Sequence, residues 1–390
     1  MTAVLHLLDP PATPAWAPFA GVRPVSELRA GALLVRERWE LVTTLPTASI
    51  LSDAVPGFAD TGPIPVVPSA TPISGPALVV RSDFAPDLDA RPGPDRVGTF
   101  VDRAGAPVGW WVPRGSVWSG ADHVSDPASP LSGMHLTGTA SLLDVLEHRL
   151  GPDCLQLLDP SPVPAGTIVL GDPSLLAAGD AVIEPGVVLD LRGGPIVLEE
   201  GVVVRSGTRL EGPLHVHVDT LLLGGSIRHS VIGPSCRVHG EVASSVFTGF
   251  ANKAHDGFLG HSVLGHWVNL GAGTITSNLK NTYGEVSLAL PEGPVPTGRM
   301  FLGSLLGDHA KTAIGTLLAT GTIVGAGASV HGPPPVPRHV PAFSWGTAGT
   351  ERVTLEGFLR VASRVMPRRG VEMTSDREES LRRLHLRLTR

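Results

Sequence analysis

The 390-residue sequence predicts an α/β domain, then a parallel β-helix built from hexapeptides, then a short helical tail. Composition is the first observation behind this. There are 47 Gly and 37 Pro, yet 42% of residues are hydrophobic. That apolar share is too high for a disordered chain, and so many helix breakers, costing ~1 and ~3 kcal/mol each in helix interiors, exclude a long bundle. The second observation is a six-residue step of aliphatic residues between about 163 and 331, the signature of a hexapeptide coil. The third is the loss of that step on either side.

Residues 1–160 alternate short apolar runs with Pro-rich turns. Strands are expected at Val4–Leu8, Ala77–Val80, Thr99–Val101 and Val108–Val112, with a hairpin turn at Asp102–Pro107. Helices are expected at Val25–Glu40 and Ala140–Arg149. Leu45–Pro76, rich in Pro and Ser, is expected to loop over the surface. From 163 to 331, units such as Val231-Ile232-Gly233, Val263-Leu264-Gly265 and Ile323-Val324-Gly325 recur, and six residues separate Ile232 from Val238 and Leu264 from Leu270. Each hexapeptide forms one side, and three sides close a coil of ~18 residues with the aliphatic side chain inside. The period breaks at 277–298, which reads as a loop ejected from the coil, and such loops often carry function. Residues 332–390 open with a proline-rich exit. Helical patterns follow at Val353–Met366 and Ser375–Leu388. The ten arginines of 351–390, against six acids, read as a solvated helix face.

A net charge of -6 gives no electrostatic basis for binding nucleic acid or an anionic membrane. The two cysteines, Cys154 and Cys236, cannot form a metal cluster by themselves, and they fit a reducing cytoplasm. The N-terminal run MTAVLHLLDPPATP lacks the features of a signal peptide. No apolar run approaches the ~18 residues of a membrane span.

Polar residues are distributed unevenly. The chain has three lysines, four asparagines and one tyrosine. Every Asn (Asn252, Asn269, Asn278, Asn281), Tyr283, and two lysines (Lys253, Lys280) fall within 252–283. Such a cluster supplies amide donors and acceptors and compact positive charge. His255 lies among them, and a His near neutral pH suits a general base. His309 and Lys311 are candidates for lining a groove. His215 and His217 alternate as metal ligands can, but the sequence shows no third ligand, so they read as structural.

Residues 255–281 (HDGFLGHSVLGHWVNLGAGTITSNLKN) resemble the acetyltransferase domain of the bifunctional GlmU family, and Phe301-Leu302-Gly303-Ser304 resembles a later motif of it. The stretch from Pro18 to Gly31, with Arg36-Glu37-Arg38-Trp39-Glu40 and Pro341–Gly346, looks like a divergent subfamily of sugar nucleotidyltransferases. The resemblance implies a left-handed β-helix after a nucleotidyltransferase-like domain. It also implies a cytoplasmic homotrimer in nucleotide-sugar biosynthesis for the cell envelope. It makes His255 the base for acetyl transfer from acetyl-CoA to an amino-sugar phosphate or nucleotide sugar. Asn252, Lys253, Asn269, Asn278 and Lys280 would bind the acceptor, and Ala272, Gly273 and Ser304 the acetyl-CoA. Backbone N–H groups near Gly271–Gly273 would stabilise the oxyanion. In the first domain, Arg23 and Arg29 would contact a nucleotide and Asp83 would hold Mg2+. The motif tyrosine is Phe258 here, the motif aspartate is His261, and a second tyrosine is Leu279. Two alternatives stand beside acetyl transfer: Mg2+-dependent nucleotidyl transfer to a sugar-1-phosphate, and a non-catalytic trimer that binds nucleotide sugars.

Overall fold

The computed structural model describes residues 3–60, 62–91, 98–118, 120, 127–332, 335–347 and 350–390. Pro333 and Pro334 of the proline-rich exit lie outside them. An α/β domain, a three-sided parallel β-helix and a helical tail follow one another along the chain.

The first domain is built on a seven-stranded mixed sheet. Val4–Leu8 lies inside it, parallel to both Ala77–Arg81 and Thr47–Leu51. Pro107–Val112 runs antiparallel to Ala77–Arg81 and to Thr99–Val101. Helices α1 (Val35–Thr43) and α2 (Ser141–Gln156) contribute Trp39, Leu142 and Leu146 to the domain core.

Two segments differ from the sequence expectation. Val25–Glu40 is not one helix. A 3-10 turn (Val25–Glu27) and the paired strands Arg29–Ala30 and Leu33–Leu34 precede α1. Gly31 makes the break. Its φ is +65°, and a Cβ there would lie 2.2 Å from Asp153 Oδ2. Asp153 is fully committed beneath it, ion-paired with the buried Arg38 and accepting the Ala32 N–H at 3.0 Å. Leu45–Pro76 is not all surface loop either, since Thr47–Leu51 pairs beside the first strand with Ile50 and Leu51 fully buried. Its Thr-Ala-Ser start conceals the strand.

The β-helix stacks three columns of inward side chains. One runs Val216, Ile232, Phe247, Leu264, Leu306, Val324, Val340 through successive paired strands. A second runs Leu189, Leu210, Ile227, Val242, Leu259. All are buried, and each such side chain contributes roughly 1.5–3 kcal/mol of transfer free energy. The third runs Val204, Leu222, Val238 and then Lys253.

The ejected loop is a β-hairpin, Val286–Leu290 against Gly293–Arg299, whose Val286 and Leu288 pack back into the core. In the tail, α3 (Leu355–Val365) and α4 (Ser375–Leu388) are capped by Thr354 and Thr374. Phe358, Met366, Leu381 and Leu384 pack on Trp267 and Phe343 of the coil. The tail therefore covers one corner of the β-helix. No helix among the described residues is long and apolar enough to cross a membrane. Cys154 and Cys236 are buried free thiols.

Candidate functional site

The strand Asn252–Lys253 leads into a corner formed by residues 254–257, before the strand Phe258–Gly260. Gly257 closes the turn at φ +130°, where a Cβ would meet the Thr274 carbonyl oxygen at 2.2 Å. His255 stands exposed on this corner, and its ring makes no hydrogen bond among the described residues. The next coil places Ala272 and Gly273 against it: the Gly273 N–H donates to the Asp256 carbonyl at 3.1 Å. The base candidate and two of the acetyl-CoA candidates, Ala272 and Gly273, thus share one corner on adjacent coils.

Asn252 and Asn269 are neighbours on the preceding face, with Asn252 Nδ2 donating to Asn269 Oδ1 at 2.8 Å. Lys311 occupies the following rung. These three open onto a cleft of about 290 Å3, with Phe250 stacked on Trp267 (4.5 Å, 17°) in its wall. Arg368 and Arg369 of the tail close its far side. Burial lowers the Lys311 amine to about 8. Burial lowers Arg369 as well, and the neighbouring charges of Arg237 and Arg368 push in the same direction. Among the described residues, none of Lys311, Arg237, Arg368 and Arg369 pairs with a carboxylate. An unneutralised cationic cleft beside two amides suits a phosphate-bearing ligand. Sequence reasoning missed Arg368 and Arg369. The arginine excess of 351–390 was the available signal, and it reads equally well as a solvated face.

The other expected site residues lie elsewhere. Lys253 is inside the coil, 1% exposed, in the column position that Val238 fills one rung earlier. Its amine donates to the carbonyls of His239, at 3.0 Å, and His255. It holds the corner from within rather than meeting a phosphate, and desolvation lowers it to about 8. Ser304 ends a buried serine ladder. Ser230, Ser245 and Ser262 each donate to the carbonyl two residues back. Each hydroxyl also accepts the backbone N–H of the next serine, the last being the Ser304 N–H at 2.9 Å. Ser304 is therefore a rung of the coil wall, fully buried. Lys280 donates to the Glu285 carbonyl within its own loop.

Asn278 faces a different region. Its amide donates to His261 Nδ1 at 2.8 Å, and His261 stacks on Phe301 (5.2 Å, 24°). Burial, and then the charge of Arg299, lowers the His261 imidazole to about 4. His261 lines a second cleft of about 520 Å3, between α2 and the hairpin, across which Arg299 pairs with Asp144 and Glu147. The Gly271 N–H donates to Thr312 and the Gly273 N–H to Asp256, so neither is available to an oxyanion. Between them, the Ala272 N–H has no acceptor among the described residues.

In the first domain, both expected arginines are buried and engaged by the β-helix. Arg23 Nε and NH2 donate to Asp308 at 3.1 and 2.9 Å. Arg29 Nε donates to the Thr248 carbonyl at 3.2 Å. They dock the domains rather than face a nucleotide. Both Asp83 oxygens accept from Arg81, at 2.8 and 2.5 Å. A carboxylate already neutralised by a guanidinium does not fit a Mg2+ site.

Coil architecture and repeat define a hexapeptide-repeat β-helix protein joined to an α/β domain. No protein-family model matches the chain. It is similar to the "Bifunctional sugar-1-phosphate nucleotidylyltransferase/acetyltransferase" of Sulfurisphaera tokodaii, 30% identical over 150 residues, 35% of each chain. It is 24% identical over 152 residues to the "Bifunctional protein GlmU" of Methanococcus aeolicus, covering 34% of this chain and 35% of that one. The "Bifunctional protein GlmU" of a Synechococcus species matches at 24% over 131 residues, 33% and 25% of the two chains. The chain thus spans about a third or less of the length of these curated relatives. The resemblance read from residues 255–281 is borne out as similarity to divergent GlmU-type proteins.

Proposed function

We propose that this chain is a sugar-phosphate-modifying transferase that moves an acetyl group from acetyl-CoA to the amine of an amino-sugar phosphate or nucleotide sugar. The reading rests on one observation: His255, unpaired and exposed, shares a corner with the uncommitted Ala272 N–H, beside the Asn252–Asn269 pair. The names of the similar proteins, which include acetyltransferase, support it.

The acceptor's phosphate sits in the cleft of Lys311, Arg368 and Arg369, and the asparagine amides orient the sugar. Neutral His255 takes a proton from the acceptor nitrogen as that nitrogen attacks the thioester carbonyl. The Ala272 N–H stabilises the oxyanion. The adduct then collapses, breaking the C–S bond, and the imidazolium returns its proton to the leaving thiolate. The amide, free CoA thiol and neutral His255 result. Three chains associate through their coils in the proposed assembly. Nucleotidyl transfer in the first domain is carried only by the name of one similar protein, since Arg23, Arg29 and Asp83 are all otherwise engaged.

The test is thiol release from acetyl-CoA with glucosamine-1-phosphate and a panel of amino sugars. Wild type should show acceptor-dependent release, and His255→Ala should lose about 10²–10⁴-fold in kcat. No release with any acceptor would remove the acetyl-transfer reading. Tight nucleotide-sugar binding without turnover would then favour the scaffold.

A further inference from the structure

Away from this site, three potential metal ligands come together where the β-helix meets the first domain. We propose that Glu199, His215 and His217 bind a divalent transition-metal ion, with zinc the best match to the ligand set, and that the ion ties the two domains. His215 and His217 flank the inward-facing Val216 and point outward from the coil, while Glu199 follows the strand one rung below. That rung spacing is why the sequence concealed the third ligand: a residue about one coil upstream carries no local motif.

The geometry is close to a ligand set. The three candidate atoms lie within 4.8 Å of one another. Glu199 Oε1 is 2.9 Å from His215 Nε2 and 3.0 Å from His217 Nδ1. Bonds of about 2.0–2.1 Å to a shared tetrahedral ion place neighbouring ligand atoms about 3.3 Å apart, so binding needs the pairs to spread by only a few tenths of an ångström. Outer contacts are in place for Glu199 and His217, whereas the buried His215 Nδ1 has no hydrogen-bond partner among the described residues. Glu199 Oε2 accepts the Val218 N–H at 3.1 Å, which leaves Oε1 for the ion. His217 Nε2 lies 2.9 Å from the Ala32 carbonyl oxygen, the acceptor its N–H needs when Nδ1 binds metal. Ala32 belongs to the first domain, so this hydrogen bond crosses the junction. Both histidines are buried, whereas Glu199 is half-exposed toward a cleft that also contains Glu37 and Glu40. Three ligands and an open side leave room for a water as the fourth.

Arg29 is the opposing charge, with NH1 2.8 Å from His217 Nε2. Glu37 Oε2, 3.9 Å from the same NH1, is the partner to which the guanidinium turns when the ion enters. The proposal stands on these distances and is independent of the transferase reading.

The test uses untagged full-length protein stripped with a chelator. Titration with Co2+ alone should give one equivalent of visible d–d absorption, and Zn2+ should displace it. Zn2+ should raise the Tm of wild type. Glu199→Gln and His215→Ala should each weaken Co2+ binding by about 100-fold or more and abolish the Tm rise. His229→Ala, a histidine outside the cluster, should change neither. Absence of stoichiometric binding to folded wild type would overturn the proposal. So would binding that survives in both cluster variants, because the ion would then sit elsewhere. A variant that fails to fold leaves the other variant and the wild-type titration to decide.

Discussion

Replacing Lys253 with Met separates two roles for a lysine buried inside the coil beneath the candidate corner. Met keeps the length and fills the same column position below the corner, but removes the amine that donates to the His239 and His255 carbonyls. Two terms set the stability effect. Desolvation that lowers the amine from 10.5 to about 8 amounts to roughly 3–4 kcal/mol at about 1.4 kcal/mol per unit. Water at the rim of the corner, where His255 is exposed, reduces the recoverable part to about 1–2 kcal/mol. Against it stand two lost hydrogen bonds of about 1 kcal/mol each, which water replaces in part. The sum lies near zero, so Tm should move by less than about 4 °C. Activity should not be spared. Without its internal prop the corner shifts, and a misplaced base costs about 10–100-fold in kcat, with the acceptor KM unchanged. Steady-state thiol release over a range of acceptor concentrations reads both parameters. A rise in acceptor KM with intact kcat would refute the reasoning, because the amine would then be touching the substrate.

Two further outcomes follow from burial and exposure. Ile275 and Leu317 stand side by side on paired strands, 43% and 53% exposed, with Ile314 at 80% nearby. A neighbouring chain would cover this patch, so sedimentation should give the mass of three chains and Leu317→Asp the mass of one; a single-chain mass for wild type would refute the trimer. His309, packed near Trp267 and Phe358, is lowered to about 3, chiefly by burial and then by the charge of Lys311. Between pH 6.5 and 3 the unfolded chain binds a proton there that the folded chain does not, so stability falls on acidification, by about 2 kcal/mol from pH 7 to pH 5. His309→Asn, which suits the φ of +62° at this position, should flatten that fall in a pH series of Tm values. An unchanged slope would refute the assignment.

The repeat was legible because it is a physical necessity of the coil: Ile232, Leu264 and Val324 must all face one narrow interior. The strand Thr47–Leu51 was not, because neighbours on both sides, rather than its own pattern, make it a strand. The helix boundary at Val35 was hidden for a similar reason. Gly31 faces Asp153, more than a hundred residues away, and no local pattern reports that contact. At the site, the sequence located the polar cluster but could not sort inside from outside. Lys253, Ser304 and Asn278 all lie in the motif region, yet they occupy the interior, the wall and another face.

That sorting indicates where chemistry can reside in such a fold. A β-helix is made of ladders, and a residue that continues its ladder is accounted for by the ladder. Ser304 continues the serines of the wall, and its position follows from Ser230, Ser245 and Ser262. Lys253 breaks its column, since an amine follows Val204, Leu222 and Val238, and the coil accepts the desolvation cost directly beneath the His255 corner. A break in a ladder needs a local cause. Here the cause is a corner whose carbonyls take a donor from within, while the His255 imidazole on its outer side is left exposed and unpaired among the described residues. The same criterion selects His215 and His217. Their outward positions are each followed one rung later by Val231 and Gly233, and their partners are a carboxylate and the first domain rather than their own column.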